Sequence, residues 1–289
     1  MNETMRQAAI ALYDRYTHDG LDRRAFMSEL TRIAGGSAAA VALLAGIAAH
    51  PAAAAMIPAD DKRLATREFE WDVAGGRKLR GYLAAPASGR AKGAVMVIHE
   101  NRGLTEHIRD VTRRLGLAGY HAVAPDFLTG AGGTPADQDE ARRLIGALDL
   151  SASVDDAVAT LGIGRRNGGG KVGVVGFCWG GAMVNRVAVA AGSALDAGVV
   201  FYGPAPSPSE AARVQAPLLI HLAEKDERVN ATALPWVVAL RRAGKNVRAI
   251  NYQGANHAFH NDTSAERYDA KAAGRAWRET LGFFGRHLS

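Results

Sequence analysis

The chain has one cysteine, Cys178, set in Gly176-Phe177-Cys178-Trp179-Gly180-Gly181 directly after the β-branched run Val172-Gly173-Val174-Val175. A G-x-nucleophile-x-G pattern after an apolar strand marks a tight strand-to-helix turn, whose small flanking residues let the chain reverse while the nucleophile is held strained and exposed. The chemistry suited to such a thiol is acyl transfer, which needs a base to take its proton and a third group to orient that base. Two later segments supply these types. Residues 217–222 read as an apolar strand running into Ala223-Glu224-Lys225-Asp226, so Asp226 falls in the loop at its carboxyl end. Val247–Tyr252 reads as the next strand and leads into Gly254-Ala255-Asn256-His257-Ala258-Phe259. Cys178, Asp226 and His257 are therefore the expected nucleophile, orienting acid and base. Asp226 competes with Glu224 and Glu227 and is preferred because it lies just past the strand end. His221 sits inside an apolar strand, where a hydrogen-bonded core histidine belongs. His260 with His257 makes a poor metal site, having no nearby cysteine and no strand or helix to fix its geometry.

A second informative segment is Val97-Ile98-His99-Glu100-Asn101-Arg102-Gly103, at the end of another apolar run. A nucleophile, then an acid, then a histidine is the chain order of α/β-hydrolases, which take one oxyanion-hole N–H from the residue after the nucleophile and one from a loop of this kind. Trp179 and Asn101 are the expected backbone donors. A carboxylate at Glu100 would be unhelpful beside the oxyanion of a serine esterase. Beside a thiol it has a use, since a buried carboxylate can accept the proton of Cys178 when substrate arrives. The competing reading pairs Glu100 with Arg102 at the loop surface. Arg102 is also the expected substrate-binding cation at the rim.

The elements that must hold these residues alternate regularly. An expected hairpin over 67–73 and 79–84 is followed by strands at 94–98, 121–124, 171–177, 197–201, 217–222 and 247–252. Helices are expected at 105–117, 136–148, 151–161, 181–190, 232–242 and 265–287. Repeated strand-helix-strand units with nearly continuous apolar strands predict a single α/β domain, a mostly parallel, doubly wound sheet with helices on both faces. Functional residues in such sheets gather at the carboxyl ends of the strands. With 289 residues, 48% of them hydrophobic, the chain suits one large domain plus an appendage. Its net charge of +6 is spread over separated pairs such as Arg113-Arg114, Arg165-Arg166 and Arg241-Arg242. Without a basic stripe interleaved with aromatics, no nucleic-acid partner is expected.

Residues 1–55 differ in kind from the domain expected over 56–289. Asp22-Arg23-Arg24-Ala25-Phe26-Met27 precedes a weakly apolar, Ala/Gly-rich stretch over 33–49 and a run of small residues over 51–55. Paired arginines, an apolar region and an A-x-A-like site resemble a twin-arginine export signal, and they predict recognition by the twin-arginine machinery and a periplasmic mature protein starting near Met56. The apolar stretch is too short and too poor in large residues for a stable membrane span. The alternative is an amphipathic N-terminal helix of a cytoplasmic protein.

Together, Glu100 with Gly103, the Gly176-x-Cys178-x-Gly180-Gly181 turn, Asp226 and His257-Ala258-Phe259 resemble the dienelactone hydrolase family over residues 64–288. The resemblance implies cofactor-free and metal-free cleavage of a small ester or lactone through a thioacyl-enzyme, with Glu100 activating the thiol once substrate is bound. The best known members hold a substrate carboxylate with arginines at the positions of Gly130 and Asn261, so a less anionic substrate is expected. Two other readings remain. A thioesterase or acyltransferase could use the same triad, and a ligand-binding or redox-responsive protein could use the same fold.

Overall fold

The apolar runs pair into one sheet. In a computed structural model, which describes residues 3–48 and 56–289, the strands are β1 (Leu64–Asp72), β2 (Lys78–Pro86), β3 (Ala94–Ile98), β4 (His121–Asp126), β5 (Val172–Phe177), β6 (Ala197–Phe201), β7 (Leu218–Ala223) and β8 (Val247–Tyr252). They form an eight-stranded sheet in the order β1-β2-β4-β3-β5-β6-β7-β8. β1 and β2 are antiparallel and bring β2 against β4, while β3 to β8 run parallel. The fold is that of an α/β-hydrolase.

Side chains alternate across the pleat, and this divides the core into two layers. Val95, Val97, Val175 and Phe177 face α4 (Glu106–Leu117) and α9 (Ala270–Leu288). Met96, Ile98, Val172 and Val174 face α6 (Leu150–Asn167), α7 (Trp179–Ala190) and α8 (Glu227–Arg242). A shorter helix, α5 (Gln138–Gly146), lies between β4 and α6 in the chain. Two helix starts lie five residues from the sequence expectation, and capping explains both. Asp226 accepts from Val229 N at 3.2 Å, so α8 begins at Glu227 rather than at 232, with Pro235 inside it. Asp269 accepts from Ala272 N at 2.9 Å, so α9 begins at Ala270 rather than at 265.

The N-terminal appendage is helical: α1 (Glu3–His18), α2 (Arg23–Ala34) and α3 (Ser37–Ile47). Asp22 caps α2 by accepting from Arg24 N and Ala25 N. Gly35, at φ +75°, ends α2, and α3 leaves at a bend of 106°. The described part of the apolar stretch is therefore broken at this bend, with α3 carrying most of it. No single helix among the described residues is long and apolar enough to cross a membrane. Tyr13, Tyr16, Phe26, Leu30, Leu43 and Ile47 are buried in a small core of their own. This unit docks on the irregular segment before α9, where Ser264 Oγ and Arg267 Nε donate to Ile47 O at 2.5 and 3.0 Å and Glu266 N donates to Gly46 O at 3.0 Å. The small-residue run over 51–55, read as an export cleavage site, lies outside the described residues.

Candidate active site

The turn after β5 carries the thiol. Cys178 has φ 56° and ψ −113°, its N donates to Phe201 O at 3.0 Å, and α7 starts at the next residue. Positive φ is costly for a residue with a Cβ, and here it recurs at Tyr202 (37°) and Ala258 (62°). Tyr202 follows β6 and stacks edge-on against His257, with ring centres 5.1 Å apart, and Ala258 follows His257. Among the described residues, the non-glycine residues at positive φ gather at this one place. The turn's glycines answer to sterics: a Cβ on Gly176 would stand 2.1 Å from Gly180 O, and one on Gly180 would stand 2.2 Å from Ile98 O.

Of the predicted residues, Asp226 and His257 meet. Nδ1 of His257 donates to Asp226 Oδ2 at 2.5 Å, while Asp226 Oδ1 caps α8. Burial opposes a charged imidazole, but the Asp226 carboxylate and the Cys178 sulfur outweigh it and push the His257 pKa up to about 10. Burial likewise works against the Asp226 carboxylate, and the attraction of His257 wins, so its pKa is lowered. The bond to Asp226 leaves Nε2 of His257 as the atom available to the thiol, and Nε2 has no hydrogen-bond partner among the described residues.

The thiol's own hydrogen bond goes elsewhere. Cys178 Sγ lies 3.1 Å from Nε2 of His18, at the end of α1, and the His18 ring stands edge-on to that of His257 at 4.9 Å. Burial, then the neighbouring His257 and Arg228, hold the His18 pKa well below the ordinary histidine value, so the ring is neutral. The sequence motifs do not point to His18. The available signal was the bulk of Tyr13, Tyr16 and Phe26, which can build a small packed core.

Glu100 follows β3, and its Oε2 accepts from Asn261 Nδ2 at 2.8 Å. Asn261 thus holds this carboxylate in place. Oε1 of Glu100 is buried with no partner among the described residues, and Glu100 lines the same small space as Cys178 and His257. Arg102 does not pair with Glu100. Its guanidinium donates to Gln138 Oε1 at 2.5 Å and to the Tyr13 hydroxyl at 2.8 Å, tying the loop after β3 to α5 and α1. Asn101 uses its side chain to donate to Thr17 O at 3.2 Å. Trp179 opens α7, where a backbone N–H has no helical partner, and its ring stacks on His99 at 5.3 Å. His221 is a core residue, bonded to Tyr252 Oη at 2.9 Å and Thr280 Oγ1 at 3.0 Å, and burial lowers its pKa to about 3. His260 is buried beside Phe177, with ring centres 5.3 Å apart.

A cavity of about 570 Å³ opens beside the thiol. Cys178, Asn101, Trp179 and Arg228 line one side, and Tyr16, His18, Leu21 and Arg23 of the N-terminal unit line the other. Arg23 is paired with Asp139 at 2.6 Å, whereas Nε and Nη2 of Arg228 are buried with no hydrogen-bond partner among the described residues.

Residues 79–288 match the model of the dienelactone hydrolase family. Over 235 residues the chain is 34% identical to "Protein usf" of Aquifex pyrophilus, covering 77% of this chain and 98% of that protein. It is 32% identical over 232 residues to a "Putative carboxymethylenebutenolidase" of Aquifex aeolicus, covering 76% and 97%. Among solved structures, a "Putative Dienelactone Hydrolase" from Klebsiella pneumoniae superposes with a TM-score of 0.69 at 27% identity, covering 77% of this chain and all of that one. The matched family region begins at β2, so α1, α2 and α3 lie outside it.

Proposed function

Since the chain belongs to the dienelactone hydrolase family, we propose that it cleaves an ester or lactone through a thioacyl-enzyme on Cys178. His257 is the base, Asp226 orients it, and Glu100 assists removal of the thiol proton. The thiolate adds to the carbonyl carbon, and the backbone N–H groups of Asn101 and Trp179 stabilise the oxyanion. The C–O bond then breaks, and the leaving oxygen takes a proton from His257. Water, deprotonated by the same ring, adds to the thioester and releases the acid and the free thiol. The observation that carries this reading is the 2.5 Å bond from His257 to Asp226 beside a cysteine held at φ 56°.

Intact-mass measurement during turnover of an activated aryl ester should show one acyl group per chain, located on the peptide containing Cys178. The adduct should be absent in His257→Ala. An unmodified Cys178 under turnover would sink the proposal. Adding an alcohol or thiol separates hydrolysis from acyl transfer, because an acyltransferase diverts the acyl group to the new acceptor.

Arg228 bears on the substrate. Gly130 and Asn261 stand where the best known relatives have arginines, yet the cavity has a cation from another element, Arg228, which makes no ion pair within 4.0 Å among the described residues. The proposed substrate therefore carries an acidic group, in place of the less anionic one expected from sequence. Charge-assisted bonds contribute about 1.5–3 kcal/mol, so Arg228→Gln should lower the ratio of kcat/KM for a carboxylate-bearing ester over its neutral isostere by about 10- to 100-fold. Taking the ratio cancels any effect on the triad. An unchanged ratio would show that Arg228 does not read substrate charge.

A further inference from the structure

We propose that His18, Cys178 and His257 form a binding site for one thiophilic divalent cation of the zinc type, which latches the N-terminal helices to the nucleophile and silences hydrolysis while bound. One ligand atom from each of the three lies within 4.8 Å of the others. A tetrahedral zinc, with Zn–S of about 2.3 Å and Zn–N of about 2.0–2.1 Å, spaces sulfur and nitrogen by about 3.6 Å, so small side-chain shifts complete the site.

The two rings are set up as ligands. Nδ1 of His18 lies 3.0 Å from Asp14 O and 2.9 Å from Thr17 Oγ1. A carbonyl only accepts, so Nδ1 carries the proton and Nε2 turns a lone pair to the sulfur. Thr17 Oγ1 donates its own hydrogen to Tyr13 O at 3.0 Å and is left to accept from His18. Asp226 does the same for His257, whose side chain is 1% exposed and whose Nε2 has no partner among the described residues. A metal-binding histidine characteristically donates its other nitrogen to a carbonyl or carboxylate, which fixes the ring and raises its basicity.

Charge and access agree with this. The Cys178 thiolate and the Asp226 carboxylate behind His257 balance a dication, and the cavity of about 570 Å³ leaves the fourth position open to water. Binding displaces to solvent the protons held on Sγ of Cys178 and on Nε2 of His257, a metal–ligand bond forming at each atom, and nothing is oxidised or reduced. The silencing rests on the proposed roles of Cys178 and His257 in hydrolysis, but the binding does not. The site needs α1, so removal of residues 1–55, as the export reading expects, would take the latch away with His18.

The test uses the full chain, stripped with a chelator and titrated with Co²⁺ alone. One equivalent should bind with a near-ultraviolet thiolate-to-cobalt charge-transfer band that Zn²⁺ abolishes, and ester turnover should fall in step with occupancy. Losing even an outer partner of a ligand costs about 10- to 100-fold in affinity. Thr17→Val should therefore weaken binding about 10-fold, and His18→Ala at least about 100-fold. Absence of the charge-transfer band in the unsubstituted chain, or affinity unchanged in Thr17→Val and in any folded His18→Ala, would overturn the proposal. Cobalt–thiolate binding by a protein that turns over no ester would count against the hydrolase reading and leave the metal site standing. Ester turnover without the band would do the reverse.

Discussion

Asp226→Asn should lower kcat/KM for ester hydrolysis by about 10⁴-fold, the scale of loss when the acid of a nucleophile–histidine–acid triad is neutralised, while leaving the fold in place. The two carboxylate oxygens have separate duties. Oδ1 caps α8 through Val229 N, and asparagine is as good a cap as aspartate, so the helix should keep its start. Oδ2 takes the Nδ1 proton of His257 at 2.5 Å. An amide there either accepts that proton without a charge to stabilise the imidazolium, or turns its NH₂ inward and forces the wrong tautomer. The His257 pKa, held at about 10 against burial chiefly by Asp226, then falls, and the ring becomes a weaker base for the thiol. Steady-state kinetics with a urea midpoint check this. A loss of less than about 10-fold would show that Asp226 is not the orienting acid. The rival Glu224 is already engaged, accepting from Gly254 N at 2.6 Å.

The sheet was legible because each of its central strands is a short, nearly continuous apolar run, and burial on both faces demands that. β3 and β6 fall where the runs fall. The helix starts at Glu227 and Ala270 were less legible because each depends on one aspartate capping the backbone rather than on a periodic stripe. That Cys178, Asp226 and His257 lie near one another was legible for a topological reason: each follows the carboxyl end of a strand, and those ends converge. His18 lies 160 positions from Cys178, in a segment whose composition resembles a leader, and its placement depends on how α1 docks. The same docking takes up Arg102, read as a rim cation, through Tyr13. Asn261 was read as an arginine lost. Its service to Glu100 is a contact between side chains 161 positions apart, which no local pattern encodes.

Gly176→Ala should test whether the turn's geometry, apart from its chemistry, makes the thiol a nucleophile. The added Cβ would meet Gly180 O at 2.1 Å and Gly180 C at 2.4 Å. Both are backbone atoms, so no rotamer change relieves the contact. The first turn of α7 must move, which should cost about 3–5 kcal/mol, above the usual range for overpacking because the neighbour is main chain. Because Cys178 is the link between β5 and α7, its sulfur moves with that turn. A misplacement of about 1 Å at a reacting group costs about 10²-fold in rate. Gly285→Ala provides the contrast. Gly285 lies on the exposed face of α9 with nothing within 4 Å of its would-be Cβ. The same methyl there should stabilise by about 0.5–1 kcal/mol through helix propensity and leave kcat/KM unchanged. Denaturant midpoints and kinetics on folded protein separate the two effects. If Gly176→Ala kept full activity and stability, the close approach of β5 to α7 would not be what holds Cys178 at φ 56°, and its strain would need another source.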